Sequence, residues 1–314
     1  MTTATDPTRR RCAVVYNPTK ISDQFRELVD KTLQRDDWTD TIWLETSASD
    51  PGRSMTQQAV AARVDLVVCA GGDGTVRMVA DGLAGTGIPM GLIPAGTGNL
   101  LARNLDLPLD EVAAIAIAFG GHTRRVDLIK VTVDDGEPEH FTVMAGIGVD
   151  AVIMEETDEG LKEKIGAAAY FIAAGKAIGR LPVRLTFQLD DHRPVKRHAM
   201  LCLIGNVSDL RGNLTLIPGA EPDDGMLDLY IASPHKVRHW LKLALRLITR
   251  RPKKDDQVDQ HTGRSVTIRL RSPDNYQLDG DVIGECRTLV ATIEPGALTL
   301  AVPLPSDQQT TVGS

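Results

Sequence analysis

The stretch Ala70-Gly71-Gly72-Asp73-Gly74-Thr75 constrains this chain more than any other. It lies between an apolar, strand-like run, Val64–Cys69, and a helical run from Val76 to Leu83. Three glycines in four residues remove the Cβ atoms that would hold a ligand off the backbone, and they tolerate positive φ. At a strand-to-helix turn the N–H groups converge with the helix N-terminus, making a site suited to phosphate. A carboxylate inside such a cradle would repel phosphate unless it holds a metal ion or orders a water. Asp73 therefore points to a nucleotide with Mg2+. The competing reading is a plain tight turn, since glycine clusters punctuate chains everywhere.

A second unit of the same kind follows. Ile88–Pro94 reads as the next strand, Ala95-Gly96-Thr97-Gly98-Asn99 as its turn, and a helix begins near Leu100. Two successive strand–turn–helix units put both turns at the C-terminal edge of a parallel sheet, where open α/β folds bind ligands. The pair favours a ligand cradle over a mere connection.

The hydrophobic pattern changes once. From Arg11 to about Arg125 apolar strands alternate with helices (Cys12–Tyr16, Phe25–Leu33, Thr41–Leu44, Met55–Ala62, then the two glycine turns), which predicts a parallel sheet with helices on both faces. After Val126 short β-rich runs crowd together: Leu128–Val133, Phe141–Ala145, Val183–Leu189, His198–Ile204, Leu227–Ile231, Ser265–Leu270, Leu289–Ile293 and Leu298–Val302. They predict an antiparallel sandwich interrupted by helices near Leu161–Ile178 and Val237–Arg250. The boundaries read as a flexible 1–10, an α/β domain at 11–125, a sandwich at 126–305 whose last strands could return to the first domain, and a disordered tail at 306–314. With 314 residues each domain can bury its own core.

Charge and cysteines exclude some classes. A formal charge of −7 argues against non-specific nucleic-acid binding, which works by neutralising phosphates. Cys12, Cys69, Cys202 and Cys286 lack metal-like spacing, and three of them fall in apolar runs, so buried thiols and a reducing cytoplasm are expected. The polar Met1–Arg11 is followed by no apolar signal core, and no apolar run reaches the roughly 18 residues that span a bilayer.

Four motifs in order carry a family resemblance: Val14-Val15-Tyr16-Asn17-Pro18-Thr19; G-G-D-G-T with P-A-G-T-G-N; Pro222-Asp223-Asp224-Gly225-Met226-Leu227-Asp228; and Tyr276-Gln277-Leu278-Asp279-Gly280-Asp281. Together they resemble the diacylglycerol kinase and sphingosine kinase superfamily, specifically its soluble bacterial lipid kinases. The resemblance implies an N-terminal doubly wound α/β nucleotide-binding domain, NAD kinase-like, plus a C-terminal antiparallel β-sandwich domain. It implies ATP as phosphoryl donor and Mg2+ as cofactor. Asn17, Pro18, Thr19, Lys20, Thr46, Gly71, Gly72, Asp73, Gly74, Thr75, Gly96, Thr97 and Asn99 would serve the nucleotide. Asp224, with the carbonyls of Glu221 and Met226, would hold a structural magnesium, and Asp127 matches an acid of the surrounding network. Asp281, with Asp279 and Asp73, would carry catalysis, Asp281 as the base.

Each of these assignments has a local rival. Thr46 could cap a helix, Pro-Asp-Asp-Gly is also an ordinary turn, and Asp127 could be a strand-edge residue. Asp279-Gly280-Asp281 is either an extended pair of acids sharing one face or a hairpin turn. The family pattern also departs here: Lys20-Ile21 stands where Ser-Gly is usual, Leu100 where many relatives carry an aspartate, and Asp281 where Glu is common.

The segment Val237–Arg251 places Val237, Trp240, Leu241, Ala244, Leu245 and Ile248 on one face, with Arg238, Lys242 and Arg246 as a basic stripe. It reads either as a membrane-surface helix or as a helix packed on the sandwich. Leu161–Ile178, with Tyr170 and Phe171, could line an acyl cleft or be core. The expectation is a cytoplasmic kinase, peripheral at the inner membrane face, that phosphorylates a lipid hydroxyl, foremost diacylglycerol to phosphatidic acid. Sphingoid bases or other lipid alcohols, NAD, and a silent nucleotide- or lipid-binding regulator are the alternatives. No N-E motif of the NAD kinase kind follows Asn99, and a regulator need not keep Asp73, Asp224 and Asp281. A homodimer is left open.

Overall fold

A computed structural model describes residues 10–36, 38–148, 182–210, 214–215, 217–233 and 258–304. The chain forms two compact units: 1–126 with 297–314, and 127–296. The segments 161–178 and 237–250, expected as helices, lie outside the described residues.

In the first unit the order is β1 (Arg10–Tyr16), α1 (Phe25–Arg35), β2 (Trp38–Glu45), α2 (Arg53–Ala61), β3 (Leu66–Gly71), α3 (Asp73–Leu83), β4 (Met90–Pro94), α4 (Leu100–Asn104) and α5 (Glu111–Gly120). The four strands are parallel, in the order β2-β1-β3-β4. Alternation decides the faces: Cys12, Val14, Leu66, Val68, Ala70 and Ile93 point to one side, where they pack on Phe25, Val29 and Leu33 of α1 and on Ala114, Ile115, Ala118 and Phe119 of α5. Full burial of a side chain such as Phe25 contributes about 1.5–3 kcal/mol. The strand order reverses direction between β1 and β3, and the ends of these two strands carry Asn17 and Gly72. Such a switch point is where α/β sheets open a crevice for ligands. The helix α5 went unrecognised in the sequence. Its signal is Asp110, whose carboxylate accepts from Ala113 N–H as an N-cap at 2.9 Å, followed by Glu111 in the first turn.

The second unit is built from β5 (His122–Val133, entered from the first unit), β6 (Glu139–Phe141), β7 (Met144–Gly148), β8 (Val183–Leu189), β9 (Val195–Ala199), β10 (Leu201–Gly205), a small β11–β12 pair (Asp209–Leu210, Leu214–Thr215), β13 (Leu227–Ala232), β14 (Val258–Gly263), β15 (Ser265–Leu278) and β16 (Asp281–Val302). The pairings β14-β13-β10-β7-β15-β16 and β15-β8-β9 are antiparallel. Phe141, Ile147, Phe187, Ile204, Leu229, Ile268 and Leu289 are among the residues of its buried core. This is the antiparallel β-sandwich.

Three strand expectations change. Phe141–Ala145 is not one strand, because the amides of Thr142 to Met144 turn away to a carboxylate 137 to 135 residues distant. His198–Ile204 breaks at Met200, whose N–H bonds Ala232 O. Leu289–Ile293 and Leu298–Val302 are parts of the single run β16, which re-enters the first unit at Ala297.

Candidate functional site

The two glycine turns touch through their backbones. A Cβ on Gly96 would lie 2.6 Å from Gly72 Cα, a distance no side chain tolerates, so only glycine permits the approach. Ala95 N–H donates to Gly71 O at 2.9 Å, and the Asn99 side chain closes its own turn by accepting from Gly96 N–H and donating to Gly96 O, both at 2.8 Å. Asn99 itself takes the left-handed conformation, at φ 50°, that asparagine accepts better than most residues.

Asp73 holds the pair together. Its carboxylate accepts from Asn99 N–H at 3.0 Å and Leu100 N–H at 2.6 Å, amides at the start of α4 that have no intrahelical partner. The same residue opens α3, where an acid in the first turn suits the helix dipole. Leu100, the departure noted in the sequence, thus donates to an acid through its backbone.

Beside them, Asn17 N–H donates to Ala70 O, and the Asn17 side chain accepts from Thr19 N–H and Thr19 Oγ1 at 3.0 and 2.8 Å. With Lys20 N–H donating to Asn17 O, the segment from Asn17 to Lys20 is a pre-shaped loop even without the usual Ser-Gly. Pro18, Thr19 and Lys20 are exposed; Thr46 is buried, its N–H donating to Tyr16 O. Ser22, just past the loop, donates from N–H and Oγ to Glu111 at 3.2 and 2.5 Å, fastening the loop to α5. Gly74 and Thr75 lie in the first turn of α3, and Thr97 is exposed on the second turn. The first unit therefore gathers the expected nucleotide residues at the ends of β1, β2, β3 and β4.

In the second unit the acids behave differently. Asp127, only 3% exposed, accepts from Gly225 N–H at 2.7 Å and Gly296 N–H at 2.6 Å, while its own N–H donates to Pro222 O at 2.7 Å. It pins the loop from Pro222 to Met226 at Pro222 and at Gly225. Within that loop Asp224 accepts from Met226 N–H at 2.9 Å. Partial desolvation raises the pKa of Asp224; the Met226 bond opposes this, and the charges of Asp228, Asp127 and Glu221 add to the rise. A cation would relieve that crowding, so the donor set fits a hard ion bound by one carboxylate, main-chain carbonyls and water. Among the described residues no three His, Cys, Asp or Glu side chains converge as a metal-binding group.

The Asp279-Gly280 pair is a hairpin turn, not an extended stretch. Leu278 pairs with Asp281 across it, and both central residues have positive φ, 48° and 94°. The two acids therefore do not share a face in the manner of i, i+2 strand residues. Asp279, 3% exposed, accepts four hydrogen bonds at 2.8–3.0 Å, from Thr142 N–H and Oγ1, Val143 N–H and Met144 N–H. Its oxygens are committed to holding the bend before β7. Asp281 stands exposed at the first residue of β16. All four cysteines are buried thiols, with Cys69 and Cys202 pushed up to about 12 by burial.

Residues 11–131 match the family model for the diacylglycerol kinase catalytic domain, and residues 143–302 match that for the YegS C-terminal NAD kinase beta sandwich-like domain. The chain belongs to the diacylglycerol kinase family. It is a kinase. A Mycobacterium tuberculosis (strain CDC 1551 / Oshkosh) diacylglycerol kinase is 30% identical over 267 residues, spanning 84% of this chain and 85% of its own. A Staphylococcus epidermidis (strain ATCC 35984) diacylglycerol kinase is 29% identical over 289 residues, covering 88% and 87% of the two chains. A solved structure from Bacillus anthracis str. Sterne, provisionally described as a diacylglycerol kinase, superposes with a TM-score of 0.77 at 22% identity, over 96% of this chain and 98% of that one, a likeness of fold.

For this family member, sequence reasoning missed three residues that the geometry brings forward. Glu111 anchors the segment running from Asn17 to Ser22, Thr142 donates to Asp279, and Asn206 lies between the two acid-bearing loops. Only Asp110-Glu111, a helix start, left a local trace. The others act through contacts far apart in sequence.

Proposed function

We propose that the protein transfers the γ-phosphoryl group of ATP to a lipid hydroxyl, foremost that of diacylglycerol, giving phosphatidic acid and ADP. The observation that carries this reading is the fused pair of glycine turns, locked by Asp73 at the sheet's switch point. Phosphoryl transfer is mainly positioning and charge neutralisation, and main-chain amides at the start of α3 suit a triphosphate. The loop of Asn17, Pro18, Thr19 and Lys20, with Thr46 and Thr97, would flank the nucleotide. Asp73 keeps the two turns in contact and would face the magnesium accompanying the phosphates.

Asp281 is the proposed base. It would accept the lipid hydroxyl proton as the oxygen bonds the γ-phosphorus and the bond to the β-phosphate oxygen breaks. Asp279 would fix the hairpin that presents it. Asp224 with the carbonyls of Glu221 and Met226 would hold a structural Mg2+, which when bound would neutralise the acid cluster and order the loop; Asp127 keeps that loop in place. Among the described residues no helix is long and apolar enough to cross a membrane, and a lipid substrate would bring the enzyme to a cytoplasmic membrane surface as a peripheral protein.

The test is transfer of labelled phosphate from ATP, with Mg2+, to a panel of diacylglycerol, a sphingoid base, another lipid alcohol and NAD. Diacylglycerol should be phosphorylated fastest. Faster turnover of another lipid alcohol would replace the substrate, NAD alone would replace the reaction class, and no turnover with bound ATP would leave a regulator.

A further inference from the structure

We propose that Asn206 is a positioning residue that holds the acid loop and the Asp279 hairpin in one geometry. Its location follows from register. Asn206 comes directly after β10, whose last residue, Gly205, pairs with Met144 of β7 on one side and Asp228 of β13 on the other. The residues just before Met144 hold Asp279, and those just before Asp228 form the loop from Pro222 to Met226. Asn206 thus sits between the two elements the proposed reaction needs from this unit.

Its bonds match that placement. The side-chain Nδ2 donates to Asp127 O at 2.9 Å and to Thr142 O at 3.0 Å, and the backbone N–H donates to Val143 O at 2.9 Å. Asp127 in turn bonds Pro222, Gly225 and Gly296, while Thr142 donates from both its N–H and its Oγ1 to one Asp279 oxygen. A continuous chain of hydrogen bonds therefore runs from Gly225 through Asp127, Asn206 and Thr142 to Asp279. The residue is 1% exposed, and its Oδ1 is buried with no partner among the described residues. A buried amide that leaves one atom unsatisfied is costly compared with an apolar side chain of the same size. What leucine cannot supply is the forked donor that reaches two carbonyls at once.

The inference rests on the kinase reading for its turnover measurements only. Amide exchange on the full chain tests the coupling without any activity. In Asn206→Ser, whose hydroxyl can reach one carbonyl at most, exchange at both Thr142–Met144 and Pro222–Met226 should quicken about 10-fold, while β3 and β4 stay unchanged. Turnover should fall about 10-fold or more with the KM for ATP within about twofold, because the loss is of geometry at the acids and not of nucleotide binding. Asp279→Asn, with Asn206 intact, provides a second arm: disturbing the hairpin should quicken exchange at Pro222–Met226 as well. Exchange that changes at one element only, or turnover and exchange both at wild-type levels in Asn206→Ser, overturns the proposal. If the wild type phosphorylates no lipid, the functional reading fails and the exchange arms still decide the coupling.

Discussion

The glycine turns of the first unit and the acid-bearing loops of the second use the same dipeptide, Asp-Gly, to opposite ends. Asp73-Gly74 opens an eleven-residue helix, and its carboxylate reaches out to the next turn. Asp224-Gly225 is a loop whose glycine has φ 73° and whose acid lies among other acids. Asp279-Gly280 is a hairpin corner whose acid is buried and fully bonded. In the first unit a carboxylate organises backbone amides of two touching turns. In the second, backbone amides are spent on Asp127 and Asp279, and the exposed acids Asp224 and Asp281 are presented by them. One unit offers donors, which suits phosphate; the other offers acceptors, which suits a metal ion and a proton.

The largest way to break this contrast is Asp73→Asn. The amide can accept at one of the two α4 amides only, so the turns should part and turnover should fall about 100-fold. Kinetics with saturating ATP check it, and activity within a few-fold of wild type would remove Asp73 from the machinery. Gly96→Ala attacks the same contact sterically. The added methyl meets Gly72 Cα, and relief should cost about 1–3 kcal/mol in denaturant unfolding together with weaker ATP binding. An unchanged unfolding midpoint would show the turns to be compliant.

Asp224→Ala probes the acceptor side. Ligand binding to the folded state alone adds about 2.7 kcal/mol at a hundredfold excess over Kd, so Mg2+ without ATP should raise the melting temperature of wild type but not of the variant. Equal shifts would move the ion elsewhere. The smallest effect concerns Glu294. Burial works to raise its pKa, but hydrogen bonds from Lys130 at 3.0 Å and His140 at 3.1 Å win, and it lies below its ordinary value. A lowered carboxylate pKa stabilises the fold above the unfolded value and loses that contribution as pH falls through the folded one. The group is about one-third exposed, so screening limits the contribution to about 0.5 kcal/mol or less. Unfolding of Glu294→Gln should therefore differ from wild type near neutral pH and converge with it in acid.

The contrast also explains what could be read from the chain. The alternation of β1 to β4 with helices, and both glycine turns, are local patterns, and local patterns survive translation into structure. The helix α5 was hidden because Val112 to Phe119 is apolar throughout, which blurs a helical period, although Asp110 marks its start. In the sandwich the decisive contacts are remote. The break at Thr142 is made by Asp279, and the loop at Pro222 is fixed by Asp127, 98 residues from the glycine it bonds. The motif Asp279-Gly280-Asp281 left turn and site readings equally open, and only tertiary bonding separates Asp279, which holds, from Asp281, which is presented.

The most direct test of the division of labour is turnover on diacylglycerol in mixed micelles, measured with ATP affinity, for wild type, Asp281→Asn and Asp281→Glu. A base contributes about 10²–10⁴-fold in the transition state, so Asp281→Asn should lose turnover on that scale while binding ATP as wild type does. Asp281→Glu should retain most activity. Full turnover in Asp281→Asn, or loss of ATP binding with it, would contradict the account.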